Sequence, residues 1–235
     1  MSELMKEKIV IFSGAGISAE SGLRTFRDMN GLWNEYSVED VASPAGWAAN
    51  PSLVLRFYNE RRKAVLEARP NAAHYAIAKL EERFNVVVVT QNIDDLHERG
   101  GSSTIIHVHG EILKARSSLD PALIYPLSTP DIELGDCCGK GSQLRPHVVW
   151  FGEQVLHMDE AEQHFATASK ILTVGTSLSV YPAAGLVGFA KTSAEKYLVS
   201  PDSQEPPPGY RLLQGKATAV VPRVVTCWLE GRKPS

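Results

Sequence analysis

One strand-and-turn near the amino end limits what this chain can become. Ile9-Val10-Ile11-Phe12 runs directly into Ser13-Gly14-Ala15-Gly16-Ile17-Ser18-Ala19. A short, fully apolar, β-branched run suits a strand buried on both faces, the environment of a parallel sheet. Gly14, Ala15, Gly16, Ser18 and Ala19 then carry the G-x-G-x-x-G/A spacing of a dinucleotide turn. Glycine there lets the backbone approach a pyrophosphate, and a helix opened by the turn would offer free N–H groups and a favourable dipole. Taken alone, the triplet also fits an ordinary tight strand-to-helix turn, but its place directly after the first strand favours the nucleotide reading.

Similar apolar runs recur at 86–90, 105–109, 148–151, 171–174 and 197–199. Helical stretches lie between several of them. The stretch from Asn71, a candidate N-cap, carries Ala73, Ile77 and Leu80 at helical spacing, and 158–170 and 181–192 read the same way. Alternating strands and helices predict a Rossmann-like, doubly wound parallel α/β sheet. Two segments break the alternation. Residues 31–70 hold helical patterns without a convincing strand, and 114–145 are rich in Pro, Ser, Gly and Asp with little periodicity. Both are read as insertions forming a small lobe, with the Rossmann-like lobe spanning about 1–30, 71–113 and 146–235. The stretch from Pro201 to Lys216 has the composition of a surface loop.

Composition narrows the function. Apolar residues make up 43% of 235, enough for a substantial core, and a net charge of −3 argues against nucleic acid or an anionic membrane as partner. The charged amino end and the brevity of the 9–12 run predict neither a signal peptide nor a membrane span, so a cytoplasmic protein is expected. Cys137, Cys138 and Cys227 are too few and too uneven for a disulfide framework. Two adjacent cysteines cannot by themselves supply the four ligands of a structural zinc site.

The turn continues as "GAGISAESGLRTFR", and further motifs follow in order: "TQNIDDLHERGG" from Thr90, "HVHGE" from His107, "RPHVVWFGE" from Arg145, "VGTSLSVYPAAG" from Val174 and "GKAT" from Gly215. This series, spanning nearly the whole chain, resembles the sirtuins, NAD-dependent protein lysine deacylases. It is most similar to the bacterial class that removes acidic acyl groups. The resemblance implies a Rossmann-like domain with a small domain made from two insertions. It also implies that NAD is consumed: nicotinamide is released, the amide oxygen of an acyl-lysine is ADP-ribosylated, and the acyl group moves to the ribose. The products would be free lysine, nicotinamide and O-acyl-ADP-ribose, and the partners acyl-lysine proteins or peptides. A monomer is expected.

Site roles follow from the same resemblance. Asn92 and Asp94 are expected at the nicotinamide end and Gln91 near the ribose, with Ile93 between them; their amides and carboxylate suit a carboxamide. Without the other motifs this stretch would read as a polar strand-to-helix turn. His109 is the expected general base, since imidazole titrates near neutrality and α/β sheets hold ligands at strand ends. His107 would share its sheet face if the strand ran through both. His74 and His97 are read as structural or exposed helix residues, and His147, His157 and His164 have no motif support. The 22–33 segment resembles the cofactor-binding loop. Phe26 is expected against the reactive ribose face, or else anchors the loop in the core. Arg24 and Arg27 are expected near phosphate or loop carboxylates, and Thr25 and Trp33 belong to the same loop. Gly175, Thr176 and Ser177 are expected to contact the nucleotide, and Ser200, Pro201 and Ala217 its adenine end. Val149, Phe151, Gly152 and Glu153 resemble the strand that pairs with substrate backbone.

Tyr58 and Arg61 lie three apart, on one face of a helix. Phenol and guanidinium together can bind a carboxylate, and this pair matches the sirtuin subgroup that prefers succinyl- or malonyl-lysine. The other reading is a solvated face, with Arg61 and Arg62 pairing to Glu60 or Glu67. The sequence departs from the family at the usual zinc site: Ser117 and Ser118 stand where cysteine is expected, and only Cys137-Cys138 follow. Serine is a poor zinc ligand, so no structural zinc is expected, and packing of Ile124, Tyr125 and Leu127 is expected to hold the lobe. Other functions consistent with the turn are a mono-ADP-ribosyltransferase, a non-catalytic NAD-binding module and, least well supported, a hydride-transfer enzyme.

Overall fold

The computed structural model describes residues 6–24, 36–203 and 205–234, and the backbone of 32–33. β1 (Lys8–Ser13) leads into two 3-10 turns, Ala15–Ile17 and Ala19–Ser21, rather than into an α-helix. The antiparallel pair β2 (Leu32–Trp33) and β3 (Tyr36–Ser37) precedes α1 (Val38–Val41), α2 (Pro44–Ala49) and α3 (Pro51–Glu67). α4 (Ala72–Lys79), β4 (Asn85–Thr90), α5 (Leu96–Arg99) and β5 (Ile105–His107) follow. Next come β6 (Gly110–Ser117), β7 (Ile124–Pro126), β8 (Leu144–Val148), α6 (Met158–Thr167) and β9 (Lys170–Val174). A 3-10 stretch, Ala183–Phe189, stands where a helix was expected. The chain closes with β10 (Glu195–Ser200), β11 (Arg211–Gln214) and α7 (Ala217–Leu229). Among the described residues no helix is long and apolar enough to cross a membrane.

Six strands form one all-parallel sheet in the order β11-β10-β9-β1-β4-β5. Strand alternation sorts its side chains into two cores. Ile9, Ile11, Val86, Val88, Leu172 and Val174 face α4 and α7, where Ile77, Val221 and Trp228 meet them. Val10, Phe12, Val87, Val89 and Ile171 face α6 and the 183–189 stretch, against Phe165 and Leu186. Each such buried aliphatic side chain stabilises the fold by roughly 1.5–3 kcal/mol. α4 starts where expected: the Asn71 side chain accepts from Ala73 N–H, and its amide donates to Ile17 O (2.8 Å) and Ser21 Oγ (2.9 Å). The cap thus ties this helix to the glycine turn.

The chain leaves β1 toward β4 and β5 on one side and returns to β9, β10 and β11 on the other. The carboxyl ends of β1 and β9 therefore flank a switch point, where open α/β sheets form their crevice. Here the turns after the two strands interlock. Gly14 N–H donates to Val174 O (3.1 Å) and Gly16 N–H to Gly175 O (2.8 Å). A Cβ on Gly14 would lie 2.8 Å from Gly175 O, and one on Gly16 2.8 Å from Gly175 Cα. Gly175 itself sits at φ +68°, where a Cβ would lie 2.2 Å from Ile17 N. The glycines are needed first for turn-on-turn packing, before any ligand is considered.

Helices α1–α3 pack against a three-stranded antiparallel sheet, β7-β6-β8. Ser43 and Asn50 cap α2 and α3, each with proline following at N1. Arg62 lies fully buried on α3 and donates to Ile112 O (2.7 Å), Pro130 O (2.7 Å) and Asn59 Oδ1 (2.8 Å), not to Glu60 or Glu67. Several expectations are corrected in these segments. The 31–70 stretch contains β2 and β3, and the aperiodic 114–145 stretch contains β7 and parts of β6 and β8. The 148–151 run is no strand of the parallel sheet: β8 ends at Val148 and pairs antiparallel with β6. The 201–216 loop includes the parallel edge strand β11. Ile124 is exposed; Ile132, Leu55 and Ala115 make the small core, with Leu127 packed against it.

Gly175→Ala tests the interlock. It should destabilise the protein by on the order of 3 kcal/mol, read as a lowered denaturant midpoint, because it combines a left-handed backbone with a backbone clash.

Candidate active site

A cleft of about 1230 Å³ opens at the switch point and runs to α3. Every described site residue named from the sequence lines it. From the β1 turn come Gly14, Ala15, Gly16, Ser18 and Ala19, and from the stretch after β4 come Gln91, Asn92, Ile93 and Asp94. His109, Gly175, Thr176, Ser177, Ser200, Pro201 and Ala217 join them, as do Tyr58, Arg61, Val149, Phe151, Gly152 and Glu153. Thr25, Phe26 and Arg27 lie outside the described residues, and so does the Trp33 side chain.

β4 delivers its polar stretch through side-chain bonds to the neighbouring turns. Thr90 Oγ1 accepts from Ser13 Oγ (2.8 Å) and from Asn92 N–H (3.0 Å). Gln91 Oε1 accepts from Thr176 Oγ1 at 2.7 Å. Ser18 Oγ donates to Asp94 Oδ2 (3.1 Å) and accepts from Asn92 Nδ2 (3.1 Å). Asp94 Oδ1 accepts from Leu96 N–H at 3.1 Å, so the carboxylate also starts α5. Burial raises the Asp94 pKa against these bonds. Among the described residues no donor reaches the buried Asn92 Oδ1. A ligand amide N–H would satisfy that oxygen, so these residues fit the carboxamide of a nicotinamide.

Two histidines grip successive carbonyls of this stretch. His109 Nδ1 lies 3.1 Å from Gln91 O. A carbonyl only accepts, so Nδ1 carries the proton and Nε2 is left as the basic atom. Burial lowers the His109 pKa despite the Gln91 bond, and the ring is neutral near pH 7. His107 ends β5 and reaches Asn92 O (2.9 Å) and Glu98 Oε1 (2.7 Å). His109 itself lies two residues past the strand. His74 and His97 are both buried structural residues, packed ring against ring at 4.9 Å.

The α3 wall of the cleft is more connected than the sequence implied. Tyr58 is 0% exposed, and its hydroxyl accepts from Trp150 Nε1 at 3.1 Å. Burial pushes its pKa up to about 12, so it stays a neutral phenol. Burial also lowers the Arg61 pKa, with Tyr58 and Asp94 acting against that. The Arg145 guanidinium stacks over Trp150, 3.2 Å from the ring centroid.

Glu153 departs from its expected role as part of a substrate-pairing strand. Residues 149–153 form a turn, not a strand. The Glu153 carboxylate accepts from Arg116 (2.8 Å), from Arg145 (2.7 and 3.0 Å) and from Trp150 N–H (2.8 Å). Val149 N–H is committed to His109 O and Phe151 N–H to Ala42 O. Phe151, 49% exposed, remains at the cleft mouth. Trp150, Arg116 and Arg145 escaped the sequence reading. The one signal for Arg145 was its alternation with His147 ahead of the apolar 148–151 run, and Arg116 carried none.

The fold and this polar cleft define a dinucleotide-binding α/β protein, with helices α1–α3 and the β7-β6-β8 sheet packed beside the parallel sheet. The Sir2 family model matches residues 14–182. The chain is 50% identical over 200 residues to an NAD-dependent protein deacylase of Bacteroides thetaiotaomicron, covering 83% of this chain and 86% of that one. It is 45% identical over 241 residues to the NAD-dependent protein deacylase SIR2rp3 of Trypanosoma brucei brucei, covering 97% of each. Among solved structures, a Sir2 homologue in complex with NAD matches with a TM-score of 0.84 at 36% identity, covering 96% of this chain and 91% of that one. Sir2 bound to an acetylated peptide matches with a TM-score of 0.78 at 30% identity, covering 96% and 94%. The chain belongs to the Sir2 family, the sirtuins.

Glu153→Ala would leave two buried guanidinium groups without their carboxylate and should cost about 3 kcal/mol in urea unfolding. Burial favours the neutral acid, but the Arg145 and Trp150 bonds and the Arg116 charge hold the Glu153 pKa below the usual carboxylate range. Its contribution is therefore complete above the unfolded pKa and lost as pH falls through the lower folded value. Glu153→Ala should flatten the acid side of the stability–pH curve.

Proposed function

We infer that this chain is an NAD-dependent protein lysine deacylase whose cleft favours acidic acyl groups, succinyl or malonyl, over acetyl. The observation that carries the reading is one continuous cleft containing the Ser18–Asn92–Asp94 cluster, the His109 ring and, on α3, Arg61. NAD supplies an electrophilic ribose carbon as nicotinamide departs, and the acyl-lysine amide oxygen attacks it. Asn92 and Asp94 orient the leaving carboxamide. The turns bearing Gly14–Ala19 and Gly175–Ser177 hold the dinucleotide, with Ser200, Pro201 and Ala217 at its adenine end. His109 takes a ribose hydroxyl proton at Nε2 in the acyl-transfer stage.

Arg61 gives the acyl preference. A guanidinium on the cleft wall attracts a terminal carboxylate, and the burial that lowers its pKa leaves little water to compete with that anion. Tyr58 and Trp150 form a neutral, apolar flank that keeps this charge in a low-dielectric setting, where an ion pair counts for more. Acyl-lysine peptides enter past Phe151 and Gly152.

The family's structural zinc is not expected here. Ser117 and Ser142 bond to each other at 2.7 Å, Cys138 Sγ lies 3.1 Å from Ser142 Oγ, and Cys137 is exposed. Hydroxyls saturated by one another do not fit a zinc ion, and among the described residues no three of His, Cys, Asp or Glu converge.

The defining experiment offers acetyl-, malonyl-, succinyl- and glutaryl-lysine peptides with NAD and follows peptide mass and nicotinamide together. Loss of the acyl group with release of nicotinamide supports deacylation. Gain of ADP-ribose by the peptide would instead mark a transferase, and no nicotinamide release would end the enzymatic reading. Arg61→Met should lower kcat/KM for desuccinylation by about a hundredfold, the loss of one buried charge-assisted pair, and deacetylation by far less. Equal losses would remove Arg61 from acyl recognition. Elemental analysis should find no stoichiometric zinc, and one zinc per chain would overturn the reading of the serine-rich site.

A further inference from the structure

His107 stands outside the reaction steps above, yet its surroundings are unusually demanding. One ring nitrogen meets a backbone carbonyl, Asn92 O, and the other a carboxyl oxygen of Glu98. A carbonyl has no proton to give. Glu98 is 40% exposed on its side chain, and water there favours its ionised form. With two acceptors and no donor, both ring nitrogens must carry hydrogen. His109 has one such acceptor and keeps a basic nitrogen; His107 has two and does not. Two imidazoles two residues apart thus hold opposite protonation states, set by what each one faces.

We propose that His107, clamped as an imidazolium between Glu98 and the Asn92 carbonyl, is the positioning residue that fixes the 91–94 stretch for nicotinamide. The idea rests on the assignment of Asn92 and Asp94 to the nicotinamide end. The Asn92 side chain cannot be steady unless its own backbone is steady. The stretch is already tied at Thr90, Ser18 and Thr176, and the imidazolium closes the remaining side by joining it to α5. The groups facing the ring are Glu98 and His97 on α5, Asp94 on the gripped stretch and Glu111 on β6. Three are acidic, and His97 is kept neutral by burial.

Burial disfavours the charge on His107, but the Glu98 bond and charge, the Asn92 carbonyl and the Glu111 charge together outweigh it, and the pKa is raised. The clamp is therefore intact below the ordinary histidine value and is lost as pH rises through the higher folded one. Deprotonation leaves one N–H for two acceptors, so one bond must break. The consequence is an alkaline limb in nicotinamide and NAD affinity that owes nothing to the general base.

The test begins with the intact wild-type protein, labelled with 15N in its histidine rings. His107 should show two protonated nitrogens at neutral pH and titrate only on the alkaline side. A single neutral tautomer there overturns the proposal. His107→Ala should raise the NAD KM and the nicotinamide inhibition constant about tenfold, the loss of one hydrogen bond to a charged group, with a smaller change in kcat. Unchanged values also overturn it. Should that variant fold poorly, Glu98→Gln gives a second readout. A carboxamide can donate to a neutral imidazole, so geometry survives while titration is removed, and the alkaline rise in NAD KM should vanish; a persisting rise counts against the clamp. Asp94→Asn separates the layers. If nicotinamide affinity is untouched, the assignment of this stretch falls together with the affinity link, whereas the ring spectra still report on the clamp itself.

Discussion

Two turns can lie against each other in this molecule only because three residues have no side chain. Gly14 and Gly16 after β1 meet Gly175 after β9 at distances that no Cβ tolerates. That contact joins the strands on either side of the topological switch, and the crevice above it is the cleft. If the turns were farther apart, Thr176 would leave Gln91. The polar geometry of the site is therefore inherited from a packing constraint between two backbones.

The 91–94 stretch is where that constraint meets the chemistry. It is gripped from four directions: by Thr90 from its own strand, by Ser18 from the β1 turn, by Thr176 from the β9 turn, and by His107 at the end of β5 with His109 just past it. A polar stretch buried this deeply would be costly if its groups were unpaired. The near-complete pairing makes the exception conspicuous. Asn92 Oδ1 lacks a donor among the described residues, and it lies where an amide-bearing ligand is expected.

The parallel sheet was legible because β1, β4, β9 and β10 are buried on both faces and so are written as unbroken apolar runs. β11 was not, because it is an edge strand whose residues are only partly covered; Arg211 and Gln214 on it are exposed. β8 was misplaced by about a turn for the opposite reason. Its Arg145 and His147 are buried, so the strand carries polar residues inward and the apolar run begins only as the strand ends. In the site, the resemblance found the cleft-lining residues but not Trp150 or the Arg116–Glu153–Arg145 cluster, since buried ion pairs leave no period in a sequence. The family resemblance had already set His109 apart from His107, but the difference in their partners was equally invisible. It depends on which carbonyl and which carboxylate lie opposite each ring, and that is decided by tertiary structure alone.

The same buried cations tie the segments of the small lobe together. A zinc ion would join distant loop segments through four short bonds. Here Arg62 joins α3 to β6 and to the 130–132 segment by donating to two carbonyls and an amide, and Asn59 adds two bonds to Ile132. Arg145 and Arg116 join β8 and β6 to the Trp150–Glu153 turn through one carboxylate. Guanidinium suits this work, because its planar fork spreads several donors over acceptors fixed by different elements. The two solutions differ in what they ask of the chain. Zinc fixes loops that have little core beneath them, whereas a buried arginine must have its acceptors held in place by packing already present. The Trp47–Trp150–Tyr58 stack and the Leu55–Ala115–Ile132 cluster provide that packing. The wall that carries Arg61 and Tyr58 is thus braced by the same packing and by the guanidinium network around it.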